Sequence, residues 1–255
     1  MTRTISFMLG ICLAAGTLAA QAPQPAEHPD KKVTQLKDPM EILKKAESAL
    51  KKVRLARYKA RTRGTSWIKA YVPIAEGEVM IGEPSEHDIE RFRCTVKITP
   101  IGSEETIELT AGSDGDIYYM IDPQTKTVYA DMDPAVMGSR ARDPRPVLLR
   151  TLVSKEPLAE ELKAKSIELK EDAEVEGEDC YQVQVTRPDS RELIWFISKR
   201  DSLPRRVDGV YKNPKGEPGT TELVLWDLVT EPTFRLAPFE LVVPEGFTRS
   251  DDFAP

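Results

Sequence analysis

From residue 38 onward the spacing of apolar residues follows two periods, and each predicts a different element. Asp38-Pro39-Met40-Glu41 joins a capping acid, a proline at the first helical position and an acid that can reach back to the cap, so a helix is predicted to start there. Ile42, Leu43, Ala46, Ala49, Leu50 and Val53 then fall on one stripe of a helical repeat, with Lys44, Lys45, Lys51 and Lys52 outside it. Such a helix docks its stripe on something apolar. From Arg57 the period drops to two. Arg57, Lys59, Arg61 and Arg63 alternate with Tyr58, Ala60 and Thr62, which predicts a strand with four cations on one face.

Further β-rich runs follow at Ser66 to Val72, Glu78 to Ile81, Arg91 to Ile98, Thr106 to Ala111, Asp116 to Ile121 and Lys126 to Ala130. Gly112 to Gly115 and Asp122 to Thr125 carry the residues that tight turns need, so these strands are expected as antiparallel hairpins. Between Asp131 and Lys165 the pattern breaks. Asp143-Pro144, with Val147, Leu148, Leu152 and Val153, predicts a short helix, and Pro157 to Lys165 a second. A five-strand meander then runs through Ser166 to Lys170, Asp179 to Arg187, Leu193 to Ser198, Leu203 to Tyr211 and Thr220 to Leu228. No shift of composition divides residues 38–255, so one domain is expected.

Residues 1–22 read as an address. Arg3 precedes an apolar, Ala-rich run from Ile5 to Ala20 that ends on small residues, the pattern of a cleaved secretory signal. Cleavage is expected between Ala19 and Ala22, and Ile11 stands where lipoprotein processing at Cys12 would need a small residue. Residues 23–37, rich in Pro, Gln, Lys and Asp, read as a flexible tether. The expected location is periplasmic or secreted. Export adds a question about Cys94 and Cys180, which an oxidising compartment allows to form a disulfide and which are otherwise small buried thiols.

The charge balance narrows function. The chain of 255 residues has 36 Lys and Arg against 42 Asp and Glu, an acidic excess that argues against nucleic acid. Within it, Lys44 to Arg63 holds nine cations and one acid, Glu47. Arg57, Lys59, Arg61 and Arg63 are candidate contacts for an anionic headgroup or an acidic partner; a solvated face is the plainer reading. Only His28 and His87 are present, no HExxH, Walker, nucleophile-elbow or CxxC motif occurs, and Asp114 and Asp116 do not complete a calcium loop. No enzyme, metal or cofactor is expected.

Three segments in the C-terminal half run in a distinctive order. Gly177-Glu178-Asp179-Cys180-Tyr181-Gln182-Val183 is followed by Trp195-Phe196-Ile197, then by an acidic turn at Asp201 and Leu203-Pro204-Arg205. Phe239 to Phe247 closes the series with Pro244-Glu245-Gly246-Phe247. The order resembles the LolA-like superfamily of outer-membrane lipoprotein carriers and sorting proteins, over most of residues 38–247. The resemblance implies a mainly β, α+β fold: a strongly curved antiparallel sheet, an incomplete barrel, with its concave face covered by the N-terminal helix and short central helices. It also implies that the space between sheet and helices holds an acyl chain of a lipid or lipoprotein.

The residues bear on that space directly. Leu193 to Ile197 and Leu223 to Trp226 are apolar on both faces, so both faces must be covered. Trp67, Tyr118, Met120, Tyr129, Leu148, Leu152, Val183, Val185, Trp195, Ile197, Leu223 and Leu225 are the candidate lining of a cavity, or the members of a dry core. The expected function is that of an exported, monomeric binding protein for a lipid or lipoprotein acyl chain or another hydrophobic ligand. The alternative is an envelope sensor or interaction module in which the same half-barrel meets a protein partner without an obligate lipid.

Overall fold

The computed structural model describes residues 36–138, 142–233 and 238–251. The leader and all but the last two residues of the tether lie outside them. The helix α1, Pro39–Leu50, starts where its caps require: Asp38 accepts from the Met40 amide at 2.9 Å, Pro39 occupies the first turn, and Ile42, Leu43, Ala46 and Leu50 are buried. Glu41 turns to Lys45 at 3.6 Å rather than back to the cap.

Among the described residues thirteen strands follow: β1 Leu55–Gly64, β2 Ile74–Gly82, β3 Arg91–Thr99, β4 Ile107–Ser113, β5 Tyr118–Asp122, β6 Thr127–Asp131, β7 Ser166–Leu169, β8 Ala173–Val175, β9 Glu178–Thr186, β10 Glu192–Ser198, β11 Pro204–Lys212, β12 Pro218–Thr230 and β13 Thr248–Ser250. They form one sheet in the order β13-β6-β5-β4-β3-β2-β1-β12-β11-β10-β9-β7, with β8 also paired to β9. Every pairing is antiparallel except that of β13 with β6. The sheet is large and curved and does not close into a barrel. The β1–β12 pairing joins the two hairpin series, Ala56 opposite Thr230 at one end and Gly64 opposite Thr221 at the other.

The inner face carries the main core. Ala56, Tyr58 and Ala60 on β1, Val79 and Ile81 on β2, Cys94, Val96 and Ile98 on β3, Val183 and Val185 on β9, Trp195 and Ile197 on β10 and Leu225 on β12 pack there against α1 and against Val136, Met137 and residues 147–158. The expected alternation of β1 is observed, with even-numbered residues 56 to 62 buried and the cations turned outward.

Three expectations are corrected. Ser66 to Val72 is not a strand but a 3-10 turn, Ser66–Ala70, because Ser66 takes a left-handed φ of 51° and Pro73 restarts the extended chain. The helix expected around Val147 to Val153 is two 3-10 turns, Arg145–Val147 and Arg150–Val153, separated by extended Leu148. Pro157 to Lys165 is a series of turns, since Leu158 at φ 59° stops any helix at its second residue. Among the described residues no helix is long and apolar enough to cross a membrane.

Strands β2 and β3 approach closely at Gly77. A Cβ there would stand 2.7 Å from the Val96 Cα and closer still to the Thr95 carbonyl oxygen, so β2 and β3 approach in a way that only glycine permits. Gly77→Ala is expected to lower stability by about 2–3 kcal/mol through overpacking against rigid backbone, read as an earlier urea midpoint. An unchanged midpoint would show that the two strands part freely to admit a methyl group.

Candidate functional site

The central segment crosses the concave face like a plug. Tyr58, 1% exposed, points into the core from the middle of β1. Its phenol oxygen accepts from the Leu149 amide at 2.9 Å and donates to the Val147 carbonyl at 3.3 Å. Burial pushes its ionisation far above the usual phenol range, so the group stays neutral and keeps both bonds. Leu148, between the two clamped residues, and Leu152, just beyond them, are buried in the core.

At one end of the plug a cleft of about 460 Å³ opens onto solvent. Its apolar walls are Leu193, Val207 and Leu223 from the sheet and Pro146 and Leu149 from the plug; Thr62, Asp143 and Thr221 supply polar groups, and Glu222 borders the cleft with its carboxylate held on the outer face. Tyr71 and Tyr211 stand at its rim, 56% and 46% exposed. Asp143 is bound by Arg145 at 2.6 Å, and Glu222 by Arg63 at 2.7 Å and Arg206 at 2.9 Å, so neither acid presents an uncompensated charge. At the other end of β1, a second cleft of about 400 Å³ lies between Ile81, Gly82 and Val153. Its rim is ionic, with Arg150 on Glu90 and Lys155 on Asp88 at 3.4 Å.

Most of the predicted lining is therefore packed rather than open. Met120, Leu148, Leu152, Val183, Val185, Trp195, Ile197 and Leu225 belong to the buried core, with Tyr118, Tyr129 and Leu223 partly buried against it. Leu223 alone of the predicted set lines the first cleft. Trp67 lies elsewhere: it donates to the Glu217 carbonyl at 3.1 Å and meets the Tyr71 ring edge-on at 5.9 Å. Leu149, Leu193, Val207, Tyr71 and Tyr211 were not anticipated. Leu193 shares the face of Trp195 by simple alternation and was legible; Tyr71 was hidden by reading its turn as a strand.

The outer face settles how β10 and β12 are covered on their second side. Phe196 and Val224 pack with Val175 and Cys180, joined by Ile194, Trp226 and Ala173. The Arg206 guanidinium lies 4.8 Å from the Phe196 ring and that of Arg61 5.8 Å from Trp226. The cationic strip on β1 is not an open basic surface. Lys59 pairs with Asp227 at 3.0 Å, Arg61 with Glu176 at 3.1 Å and Glu76 at 3.9 Å, and Arg63 with Glu222, leaving Arg57 as the outlying member. Acids on neighbouring strands cancel the field that the linear sequence suggested. Arg205 is the extra residue of a bulge between β10 and β11 and binds Glu178 at 2.8 Å and Asp201 at 2.5 Å, pinning the preceding turn.

The suggested disulfide is also corrected. Cys94 and Cys180 are free and buried. Cys94 is in the inner core and Cys180 in the outer cluster, six strand spacings apart along the sheet at roughly 4.8 Å each, far beyond disulfide reach. Burial pushes both thiols up to about 12.

Residues 148–249 match the family described as predicted periplasmic protein, DUF2092. No curated protein matches the sequence. Among solved structures, the chain is similar to LprF from Mycobacterium bovis, with 10% identity over 79% of this chain and 97% of that one and a TM-score of 0.51. It is also similar to MucB, with 11% identity, 80% of this chain and a TM-score of 0.49, although it spans only 62% of MucB's length. LppX from Mycobacterium tuberculosis gives 13% identity, coverage of 76% and 96%, and a TM-score of 0.43. At such identities the LprF likeness is one of fold. The large, curved antiparallel sheet that does not close into a barrel, expected from the motif order, is the fold found, and the description of the matching family as periplasmic accords with the signal expected at residues 1–22.

Two outcomes follow from this geometry. Tyr58→Phe strands the Leu149 amide and the Val147 carbonyl in apolar surroundings, so unfolding free energy is expected to fall by about 2–3 kcal/mol, with faster amide exchange at Leu149; a loss under about 0.5 kcal/mol would mean the clamp is dispensable. The mature chain is expected to show two thiols in denaturant and none to a thiol reagent when folded. Because both thiols ionise near 12 folded against 9 unfolded, their contribution to stability is complete below pH 9 and is lost as pH rises toward 12.

Proposed function

We propose that this is a periplasmic binding protein that takes an acyl chain of a lipid or lipoprotein into the cleft beside the plug. The observation that carries the reading is the cleft itself, walled by Leu149, Leu193, Val207 and Leu223, continuous with an apolar interior and rimmed by two tyrosines. Its volume of about 460 Å³ falls among those typical of small-ligand sites, roughly 300–1,000 Å³. An aliphatic chain gains from leaving water along such walls, at about 0.8 kcal/mol per buried methylene. The tyrosines suit a boundary at which one end of the ligand stays wet. The 3-10 turns of the plug, held by the Tyr58 clamp and the exposed Arg150–Glu90 pair instead of a continuous helix, are the part that can shift to lengthen the cleft.

A second reading draws on the outer face. There a groove of about 560 Å³ runs beside Ile74, 52% exposed, and Trp226, with Thr95, Thr99 and Thr106 along its floor, which favours docking of a protein partner without any lipid.

Native mass spectrometry of residues 23–255, purified from the periplasm, separates the two. A stoichiometric lipid or acylated peptide, recovered by organic extraction, is the expected result. Leu193→Arg, which sets a charge in the cleft wall, is expected to weaken uptake of a fluorescent fatty acid at least about tenfold while cooperative melting is retained. A clean apo mass with no uptake of added phospholipid or fatty acid would reject acyl binding and favour the outer groove.

A further inference from the structure

Threonine hydroxyls that meet across neighbouring segments of this sheet bond one another: Thr65 with Thr220 at 2.7 Å, and Thr95 with Thr110 and Thr99 with Thr106 at 3.0 Å. The cleft beside the plug is different. Thr62 from β1, Thr221 from β12 and Tyr211 from β11 all line it. None of their three hydroxyls has a hydrogen-bond partner among the described residues. Thr62 is only 3% exposed. A hydroxyl so buried, unpaired and on the wall of an opening is placed for a group that enters the opening.

Strand register gathers these groups on one patch. Thr62 stands opposite Leu223, and Thr221 is the inward residue of β12 before Leu223, so the two threonines are diagonal neighbours, roughly 7–8 Å apart. Gly209 stands opposite Thr221 and lines the cleft without a side chain. A Cβ at that position would lie 2.7 Å from the Thr221 Oγ1 and 3.1 Å from the Tyr211 oxygen. Tyr211 therefore leans back from the rim over Gly209, and its phenol and the Thr221 hydroxyl border the same small gap. Leu193, opposite Gly209, and Val207, opposite Leu223, continue the patch into the apolar wall.

We infer that Thr62, Thr221 and Tyr211 form the polar anchor of the cleft and select an uncharged acyl ester, such as a glyceride, over an ionised fatty acid. The inference rests on the acyl-binding reading and sharpens it. Water entering through the open mouth can serve the three hydroxyls in the free protein. A hydrocarbon that displaced it would strand them, whereas ester and glycerol oxygens take its place as hydrogen-bond partners. The same walls disfavour a carboxylate. None of the described residues lining the cleft is Lys or Arg, and the nearby Arg145 is already bound to Asp143, so an ionised ligand would lose its water and gain no counter-ion.

The test follows displacement of N-phenyl-1-naphthylamine, an apolar fluorescent probe, by 1-monolauroylglycerol and by laurate at about pH 7.5, where the acid is ionised. Wild-type protein is expected to bind the glyceride about tenfold more tightly than laurate. That comparison requires no substitution. A variant combining Thr62→Val, Thr221→Val and Tyr211→Phe removes the three oxygens at nearly constant volume. It is expected to bind the glyceride about tenfold more weakly and the probe within about twofold of wild type. Equal affinity of the wild type for glyceride and laurate, or unchanged glyceride affinity in the variant, would overturn the inference. So would a parallel loss of probe and glyceride, which would mark the hydroxyls as supports of the fold. Wild-type protein that binds neither the probe nor either competitor would remove the acyl-binding reading itself, and this inference with it.

Discussion

The bond between the Tyr58 phenol and the backbone of Val147 and Leu149 joins the two halves of this structure's problem. A strongly curved sheet presents an apolar concave face far wider than one twelve-residue helix can cover. The rest is covered by a segment with little regular structure, whose amides and carbonyls must find partners away from water. One side chain from the central strand supplies two of them at the deepest point. Once that point is held, Leu148 and Leu152 can fill the core beside it, and the ends of the segment are left to form the walls of the two clefts.

The arrangement divides the interior into a dry centre and wetter ends. In the centre, Trp195, Ile197, Leu152 and Leu225 are nearly without exposure, and the packing is that of an ordinary core. At the end bearing Tyr71 and Tyr211, the same apolar strands run out to solvent. A cleft made this way needs no separate cavity in the fold. It is the unfilled continuation of the core, and its size is set by where the plug stops.

The outer face follows a different rule. Strands β10 and β12 are apolar there too, yet among the described residues no helix covers them. Guanidinium planes, the short strand β8 and a web of carboxylates do so instead, with Arg206 shared between Asp208 at 2.7 Å and Glu222. Burial holds the Asp208 carboxyl above its ordinary range even with Arg206 beside it, which marks this patch as desolvated. Cations that look like a binding surface in one dimension are here structural counter-ions.

Local rules made much of this legible. The cap at Asp38, the alternation along β1, the hairpins and the five-strand meander all depend on neighbours within a few residues, and those were read correctly from spacing and turn chemistry. Motif order was enough to expect a curved, open antiparallel sheet, because hairpin register and turn residues repeat that order in space. What the linear chain left open was decided by partners distant in sequence. Whether Arg57 to Arg63 form a basic face depended on acids at 76, 176, 222 and 227; whether Cys94 meets Cys180 depended on which side of the sheet each strand turns. Whether residues 143–165 are helices depended on a phenol on β1 and on one left-handed leucine. Sequence alone determined which residues leave water. Only the tertiary structure decided which of them touch one another and which still face an opening, because contact between distant strands is a property of sheet curvature and register, and neither is written in any local stretch of chain.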